Sequence, residues 1–299
     1  MTRLKLFSKN SAKRALLFSL LLIYALALSG CTSSTLPTYP KESIPQAIED
    51  ICKKEYGFEI KAQIIKSTLW VYLPIPEGTI ETADKPQKSI ERFLIEENNV
   101  DLNDSLLLAK YLIKPIPEEE KFQEMKYKKE VFEKISNIWK ALRRVLFSME
   151  EPEKNSPKFF VIIIADTMHG FIIKDILYYL DFKKVSYGLI SWEEYQHRII
   201  QEVELAPQVT GDLSGDSIEY RNISLQEFIL KQIQHRIKFK FQKPEAEKDA
   251  DTDKEVLKII RYTLNIYGFK DFSSLILENL LTGKKIIFNQ AAALSAVSD

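Results

Sequence analysis

The longest apolar run in the chain lies near its start and sets the first limit on what the chain can fold into. The run extends from Ala15 to Ala27, interrupted by Ser19 and Tyr24, and five basic residues with no acidic residue precede it. As a helix it would be about 20 Å long, whereas the hydrocarbon core of a bilayer is about 30 Å thick. A basic segment followed by a short apolar run is typical of a secretion signal. We therefore predict that residues 1–30 are a signal peptide.

The four residues Leu28-Ser29-Gly30-Cys31 follow this run: an aliphatic residue, two small residues and a cysteine. They resemble the lipobox of bacterial lipoprotein precursors. The resemblance implies that the Cys31 thiol receives a diacylglycerol, that the chain is cut before Cys31, and that the acyl chains anchor the mature protein to a membrane. The alternatives are an ordinary buried thiol and an uncleaved anchor.

The residue after the cysteine bears on location. By the known sorting rule, Asp at this position retains a lipoprotein in the inner membrane, and this chain has Thr32 there. The resemblance thus implies a protein of the cell envelope, at the periplasmic face of the outer membrane if the cell has two membranes. Residues 31–42 are polar and contain proline, which predicts a flexible tether.

Composition narrows the class of partner. Removing residues 1–30 takes five of the 42 basic residues and none of the 42 acidic ones, which leaves a net charge of about −5. This mild acidic excess gives no electrostatic footprint for nucleic acid, so we predict no nucleic-acid partner.

Cys52 is the only cysteine besides Cys31. It shares a helical stripe with Ile48 and Ile51, which predicts a buried core thiol rather than a reactive one.

Helix and strand patterns alternate along the rest of the chain and predict an α+β fold. An apolar stripe marks a helix over 44–56, and two apolar segments over 58–64 and 69–73 predict strands. The same order returns twice, with helices over 131–145 and 256–267, strands over 159–164 and 170–176, and strands over 275–281 and 285–289. We therefore predict repeated helix-strand-strand (αββ) modules.

Polar stretches predict loops over 77–87, 208–217 and 243–253. With boundaries near 120 and 245, the predicted units are an N-terminal α+β module over 43–120, a central α+β module over 121–245, and a C-terminal module over 246–299. The last is a helix plus a hairpin with a short disordered tail.

Capping boxes at Ser43, Ser191 and Ser224 open predicted helices, and the alternating residues 237–241 predict a strand. Residues 43–74 resemble predicted bacterial lipoproteins of no assigned function, which implies no activity.

Catalytic and metal-binding patterns are weak. Asp166 and His169 follow a predicted buried strand, where functional polar side chains often lie, although an ordinary turn is the interpretation that we favour. The acidic loop beginning at Asp212 places Ser217 where a calcium loop needs Gly, and the loop beginning at Asp249 places Lys254 there. We predict no metal and no cofactor, and Asp166 and His169 are the only catalytic candidates.

Two functions remain open at this point. The first is a lipid-anchored scaffold or binding subunit of the cell envelope without enzymatic activity, because exposed strand edges can accept strands of partner proteins. The alternative is a membrane-anchored enzyme that acts on envelope material, with Asp166 and His169 as general acid and base.

Overall fold

The chain forms a mixed α+β structure with two β-sheets. The computed structural model describes residues 39–148, 156–243, 246 and 250–295. The α-helices of this part are α1 (Ile44–Tyr56), α2 (Lys129–Leu146), α3 (Tyr179–Ser186), α4 (Trp192–Gln196), α5 (Leu225–Gln242), α6 (Thr252–Tyr267) and α7 (Gln290–Leu294). The strands are β1 (Lys61–Ile65), β2 (Thr68–Ile75), β3 (Ile80–Asn103), β4 (Leu106–Tyr127), β5 (Phe159–Asp166), β6 (Phe171–Tyr178), β7 (Ile200–Leu205), β8 (Ser274–Asn279) and β9 (Lys284–Asn289).

The first sheet has five strands in the order β1-β2-β5-β6-β7. Strands β2 and β5 pair in parallel, from Thr68 opposite Phe159 to Ile75 opposite Asp166. The other neighbours pair antiparallel. Almost every side chain of β2 and β5 is buried, because helices or the second sheet cover both faces. This double coverage explains why both strands are continuous apolar runs in the sequence.

The second sheet contains the longest strands, and its order is β3-β4-β8-β9. Strands β3 and β4 form one antiparallel hairpin of 24 and 22 residues. Asp104 and Ser105 make its two-residue turn, with φ angles of 48° and 65°. Positive φ at both turn residues suits the right-handed twist of the flanking strands. Strand β8 adds in parallel to the end of β4 nearest this turn.

Two hydrophobic cores lie on opposite faces of the first sheet. On one face Val71 and Ile162 pack against Ile48 of α1 and Leu142 of α2. On the other face residues such as Tyr72 and Phe159 join the buried side chains of α5, α6 and the second sheet. Cys52 lies in the first core, as predicted, and burial raises the pKa of its thiol to about 12. At neutral pH this thiol is therefore protonated and a poor nucleophile.

Glycines end two helices in the way the sequence indicates. Gly57 after α1 and Gly268 after α6 have φ angles of 74° and 61°, and each donates its backbone N–H to a carbonyl of its helix. The left-handed conformation favours glycine, so Tyr56-Gly57-Phe58 and Tyr267-Gly268-Phe269, which share one sequence, are both helix stops. Ser191 and Ser224 accept the predicted capping hydrogen bonds from Glu194 and Glu227.

Three local predictions are wrong. Residues 237–241 end helix α5 instead of forming a strand, because Ile233, Ile237 and Phe241 recur every four residues and face the core together. The predicted loop over 77–87 becomes strand β3 from Ile80 onward. The Ser43 hydroxyl donates to the Pro40 carbonyl and does not cap α1.

The structure does not confirm repeated αββ modules. Each predicted helix does precede a hairpin, but β1–β2 and β5–β6 belong to one sheet, whereas β8–β9 extends the β3–β4 hairpin. The proposed boundary at 120 falls inside β4, and residues 39–299 cluster as one unit. Of the predicted tether over 31–42, residues 31–38 lie outside the described residues, and residues 39–42 belong to the folded body. Tyr39 packs against the first core and Lys41–Ser43 forms a 3-10 turn.

Candidate functional site

Asp166 and His169 are in hydrogen-bond contact at the end of β5. The Asp166 carboxylate is fully buried, whereas the His169 side chain is half exposed. One carboxylate oxygen accepts from the His169 backbone N–H at 2.8 Å and lies 2.9 Å from its Nδ1. The other accepts from the Thr79 backbone N–H at 2.7 Å and from its hydroxyl at 2.9 Å. Because a carboxylate only accepts, the Nδ1 atom of His169 carries the proton of this bond.

These hydrogen bonds determine the charge of Asp166. Burial alone would raise the pKa of its carboxyl group, but the donors of Thr79 and His169 outweigh this effect and lower the pKa below its ordinary value. The carboxylate therefore stays ionised at neutral pH. It joins the β5–β6 turn to the segment that leads into β3, so a structural role explains all four of its contacts.

Replacing Asp166 with Ala is expected to lower the free energy of unfolding by about 2–3 kcal/mol, because the buried Thr79 donors lose their acceptor. His169→Gln should have little effect. Since the pKa is lowered in the folded state, this stabilisation is fully present above about pH 4 and is lost as the pH falls through the folded-state pKa. Urea unfolding of the wild type and Asp166→Ala should thus differ at pH 7, and the difference should shrink as the pH falls below about 4. Equal midpoints at pH 7 would show that the contacts stabilise nothing.

A groove of about 740 Å³ lies between the two sheets. Its walls are β3, through Ile95 and Asn98, and β7, while helix α5 provides Lys231, His235 and Phe239. Strand β3 is one of the two end strands of the second sheet, and β7 is one of the two end strands of the first. The groove thus separates two strands whose outer edges pair with no strand in the described part of the chain.

Charged side chains on the β7 side of the groove are already paired. Glu202 contacts Lys231 and lies 3.4 Å from Lys174, and Glu204 lies 2.8 Å from the same lysine. Burial would raise the pKa of Glu202, but the two lysines lower it below its usual value. Burial and the nearby Arg236 and Lys238 lower the pKa of His235 to about 4, so this histidine is neutral at neutral pH.

The outer side of β7 combines this polar face with an apolar one. Val203 is 67% exposed and Leu205 is 89% exposed. The neighbouring residues on β6 are Ile173 opposite Val203 and Phe171 opposite Leu205. Two exposed aliphatic side chains on an uncovered end strand are a liability for a soluble protein unless something pairs with them. The β7 edge and the groove beside it are therefore the candidate binding site.

The remaining predicted site residues lie elsewhere. Cys31 is outside the described residues. The Asp212 carboxylate accepts hydrogen bonds from the backbone N–H groups of Ser214, Gly215 and Ser217, which lower its pKa although burial opposes them. This aspartate organises its own loop. Within the described ranges no three His, Cys, Asp or Glu side chains gather in a way that could hold a metal, and no helix there is long and apolar enough to cross a membrane.

Comparisons of the chain with protein families, curated proteins and solved structures found no significant match. Sequence reasoning did not find the groove, because its walls come from three segments that are distant in the chain. The only local signal within this strand was short: Val203, Glu204 and Leu205 alternate apolar and acidic residues, as a strand with one polar face does.

Proposed function

We propose that this protein is a lipid-anchored, non-enzymatic subunit of the cell envelope that holds an extended segment of a partner along the outer edge of β7. The observation that carries the proposal is the exposure of Val203 and Leu205 on an end strand that no other described strand covers. The lipobox-like residues before Cys31 support the anchor.

The backbone of β7 supplies the general affinity. Alternate residues of an end strand direct their N–H and C=O groups away from the sheet, and an added strand pairs with these groups. The segment Ile200–Leu205 is six residues long, which is an ordinary length for such pairing. Three of the four neighbour pairs in this sheet are antiparallel, so either direction of the added strand fits known sheet geometry.

The side chains of β7 define the chemistry of the segment. On one face of the sheet, Phe171 of β6 lies opposite Leu205 of β7, and Ile173 lies opposite Val203. A strand added beside β7 would continue these apolar pairs, so its residues on this face should be apolar. On the groove face, Lys174 of β6 lies opposite Glu202 of β7, and Glu204 lies close to the same lysine. The β7 side chains that face an added strand here are therefore acidic. Opposite charges are favoured between neighbouring strands, so Lys or Arg belongs next to these acids. The partner segment therefore alternates apolar and basic residues.

The proposal is tested with two peptides, one that alternates Val with Lys and one that alternates Val with Glu. The first is expected to bind the mature protein about threefold more tightly, because Glu204 is nearly half exposed beside its partner Lys174 and favours lysine over glutamate on the next strand. Fluorescence anisotropy of labelled peptides measures both affinities.

Variants locate the binding. Changing Val203 and Leu205 together to Lys should weaken the Val-Lys peptide by about tenfold, because the apolar pairs are lost and like charges meet. Leu213→Lys is the matched control, since Leu213 is also an exposed leucine but lies on a loop. Equal affinities for both peptides, or equal losses for both variants, would contradict the proposal.

The anchored-enzyme alternative keeps one supporting observation, the hydrogen bond between Asp166 and His169. A histidine whose Nδ1 donates to a buried carboxylate presents its other ring nitrogen as a base. Catalysis would also need a bound substrate beside that nitrogen. The pair is equally explained by the turn that it stabilises, so the binding function is the stronger proposal.

A further inference from the structure

The position at which the chain enters its folded body is well defined. The Tyr39 backbone N–H donates to the carbonyl of Ser148, at 2.9 Å, just after helix α2 ends. The residue before Ser148 is Phe147, whose ring stacks on Tyr187 with 5.6 Å between centroids and 10° between planes. The entry point of the chain therefore lies next to the turn that follows α3.

That turn carries an exposed apolar patch, which we define as Tyr187, Leu189 and Trp192. Their exposed fractions are 62%, 73% and 56%. Two of the three side chains are aromatic rings with a polar group, and the third is aliphatic. Side chains of this kind are concentrated where membrane proteins meet the headgroup region of the bilayer.

The patch is rigidly held. Backbone N–H groups of Tyr187, Gly188 and Leu189 donate to carbonyls in the last turn of α3, at 2.8–3.1 Å. The Trp192 ring packs against Tyr195, with 5.5 Å between centroids, and Tyr195 is buried in the first core. The three side chains are thus presented on a fixed surface, which lowers the entropy lost when that surface binds.

We propose that this patch is the face that rests on the membrane, with Tyr187, Leu189 and Trp192 inserted into the interfacial region of the phospholipid bilayer. The inference rests on the proposed lipid anchor at Cys31. Tyr39 is the eighth residue after Cys31, and such a segment reaches at most about 29 Å in any conformation. The surface around Tyr39 therefore stays close to the bilayer, and the neighbouring patch is the apolar part of it.

Apolar insertion is the contact that the patch itself provides. Basic residues also lie near it, since Lys183 and Lys184 are in the last turn of α3 and Arg143 and Arg144 are in the last turn of α2. Zwitterionic phosphatidylcholine vesicles therefore measure the apolar contribution without attraction between these charges and acidic lipid.

The test uses the lipidated mature protein in phosphatidylcholine vesicles that contain brominated lipid, which quenches tryptophan on contact. The chain has three tryptophans: Trp70 is buried, Trp139 is half-buried against Phe182 and Tyr195, and Trp192 is exposed in the patch. Quenching is expected, strongest with bromine near the headgroup end of the acyl chains. Trp192→Phe should remove most of it, because the half-buried Trp139 is the other tryptophan near the patch. Leu189→Glu should reduce it by at least about twofold, because a carboxylate opposes insertion.

Ile287→Glu is the matched control. Ile287 is similarly exposed but lies on β9 of the second sheet, so its replacement should leave quenching unchanged. Lipid attachment is checked on the same samples by labelling with a palmitate analogue. Labelled protein whose tryptophans are not quenched would refute the membrane-facing patch while the anchor stands. Protein without label would refute the anchor, and with it the orientation derived from the tether.

Discussion

Replacing Cys31 with Ser is expected to abolish lipid attachment completely and to prevent cleavage before residue 31. The thiol is the acceptor that the lipobox-like motif provides for diacylglycerol, and a serine hydroxyl is a far weaker nucleophile than a thiolate. Two or three acyl chains give stable anchoring, since each buried methylene contributes about 0.8 kcal/mol. Without them the protein should remain an unprocessed or mislocalised precursor.

Metabolic labelling with a palmitate analogue, combined with membrane fractionation, measures this effect. The wild type should carry the label and sediment with membranes, whereas Cys31→Ser should carry none and keep the size of the precursor. Cys52→Ser is the control variant, because Cys52 is a buried core thiol and should not affect labelling. Equal labelling of the wild type and Cys31→Ser would refute the anchor.

Replacing Asp181 with Ala should cause a large loss of stability, about 3–5 kcal/mol. Asp181 is buried and accepts from Arg198, also buried, at 2.6 Å and from the Tyr267 hydroxyl at 2.8 Å. Arg198 also donates to Glu194, at 2.8 Å. Without Asp181 the guanidinium loses one of its two acids and the tyrosine hydroxyl loses its acceptor. Helices α3, α4 and α6 are connected by these bonds, so the loss should be global.

Urea unfolding followed by circular dichroism measures this loss. Asp50→Ala is the control, because Asp50 forms an exposed ion pair with Lys54 and its removal should leave the midpoint unchanged. A double variant, Asp181→Leu with Arg198→Met, should be less destabilised than Asp181→Ala, because it also removes the buried guanidinium that Asp181→Ala leaves with only one of its two acids. If the double variant is the less stable of the two, uncompensated charge is not the cause.

Much of the fold was predictable because local periodicity determined it. Helices α1, α2 and α6 and the hairpins β1–β2, β5–β6 and β8–β9 all lie within a few residues of their predicted ranges. Most of these helices and strands bury one face, which produces a stripe or an alternation of apolar residues in the sequence. Strands β2 and β5 bury both faces, which produces a continuous apolar run. Which hairpins share a sheet was not predictable, since strand order depends on contacts between residues far apart in the chain.

The β3–β4 hairpin shows the limit most clearly. The half of the hairpin far from its turn is charged on both faces. Ion pairs such as Lys88–Glu120 and Lys126–Glu81 join its two strands. Such a sequence lacks the apolar alternation by which a strand is recognised, and prolines at 86, 115 and 117 argue against one. Pairing between the two strands stabilises this segment, and pairing is not visible in a single stretch of sequence.

The candidate site was predictable only in part. Asp166 and His169 were singled out because polar residues follow a buried strand, and the structure does bring them together. Their partner Thr79 gave no signal, because it lies 87 residues from Asp166. The groove beside β7 gave no sequence signal beyond the short alternation of Val203, Glu204 and Leu205 in that strand. Its walls meet only when the end strands of two sheets are placed beside α5.

Hydrogen exchange of the β7 backbone amides is the most direct test of the central claim, that this strand takes an added strand at its outer edge. The mature protein is measured alone and saturated with the Val-Lys peptide. The account predicts that alternate amides within Ile200–Leu205 exchange more slowly when the peptide is bound, while those of β9 are unchanged. A bound peptide that leaves every β7 amide unprotected, or that protects β9 instead, would contradict it.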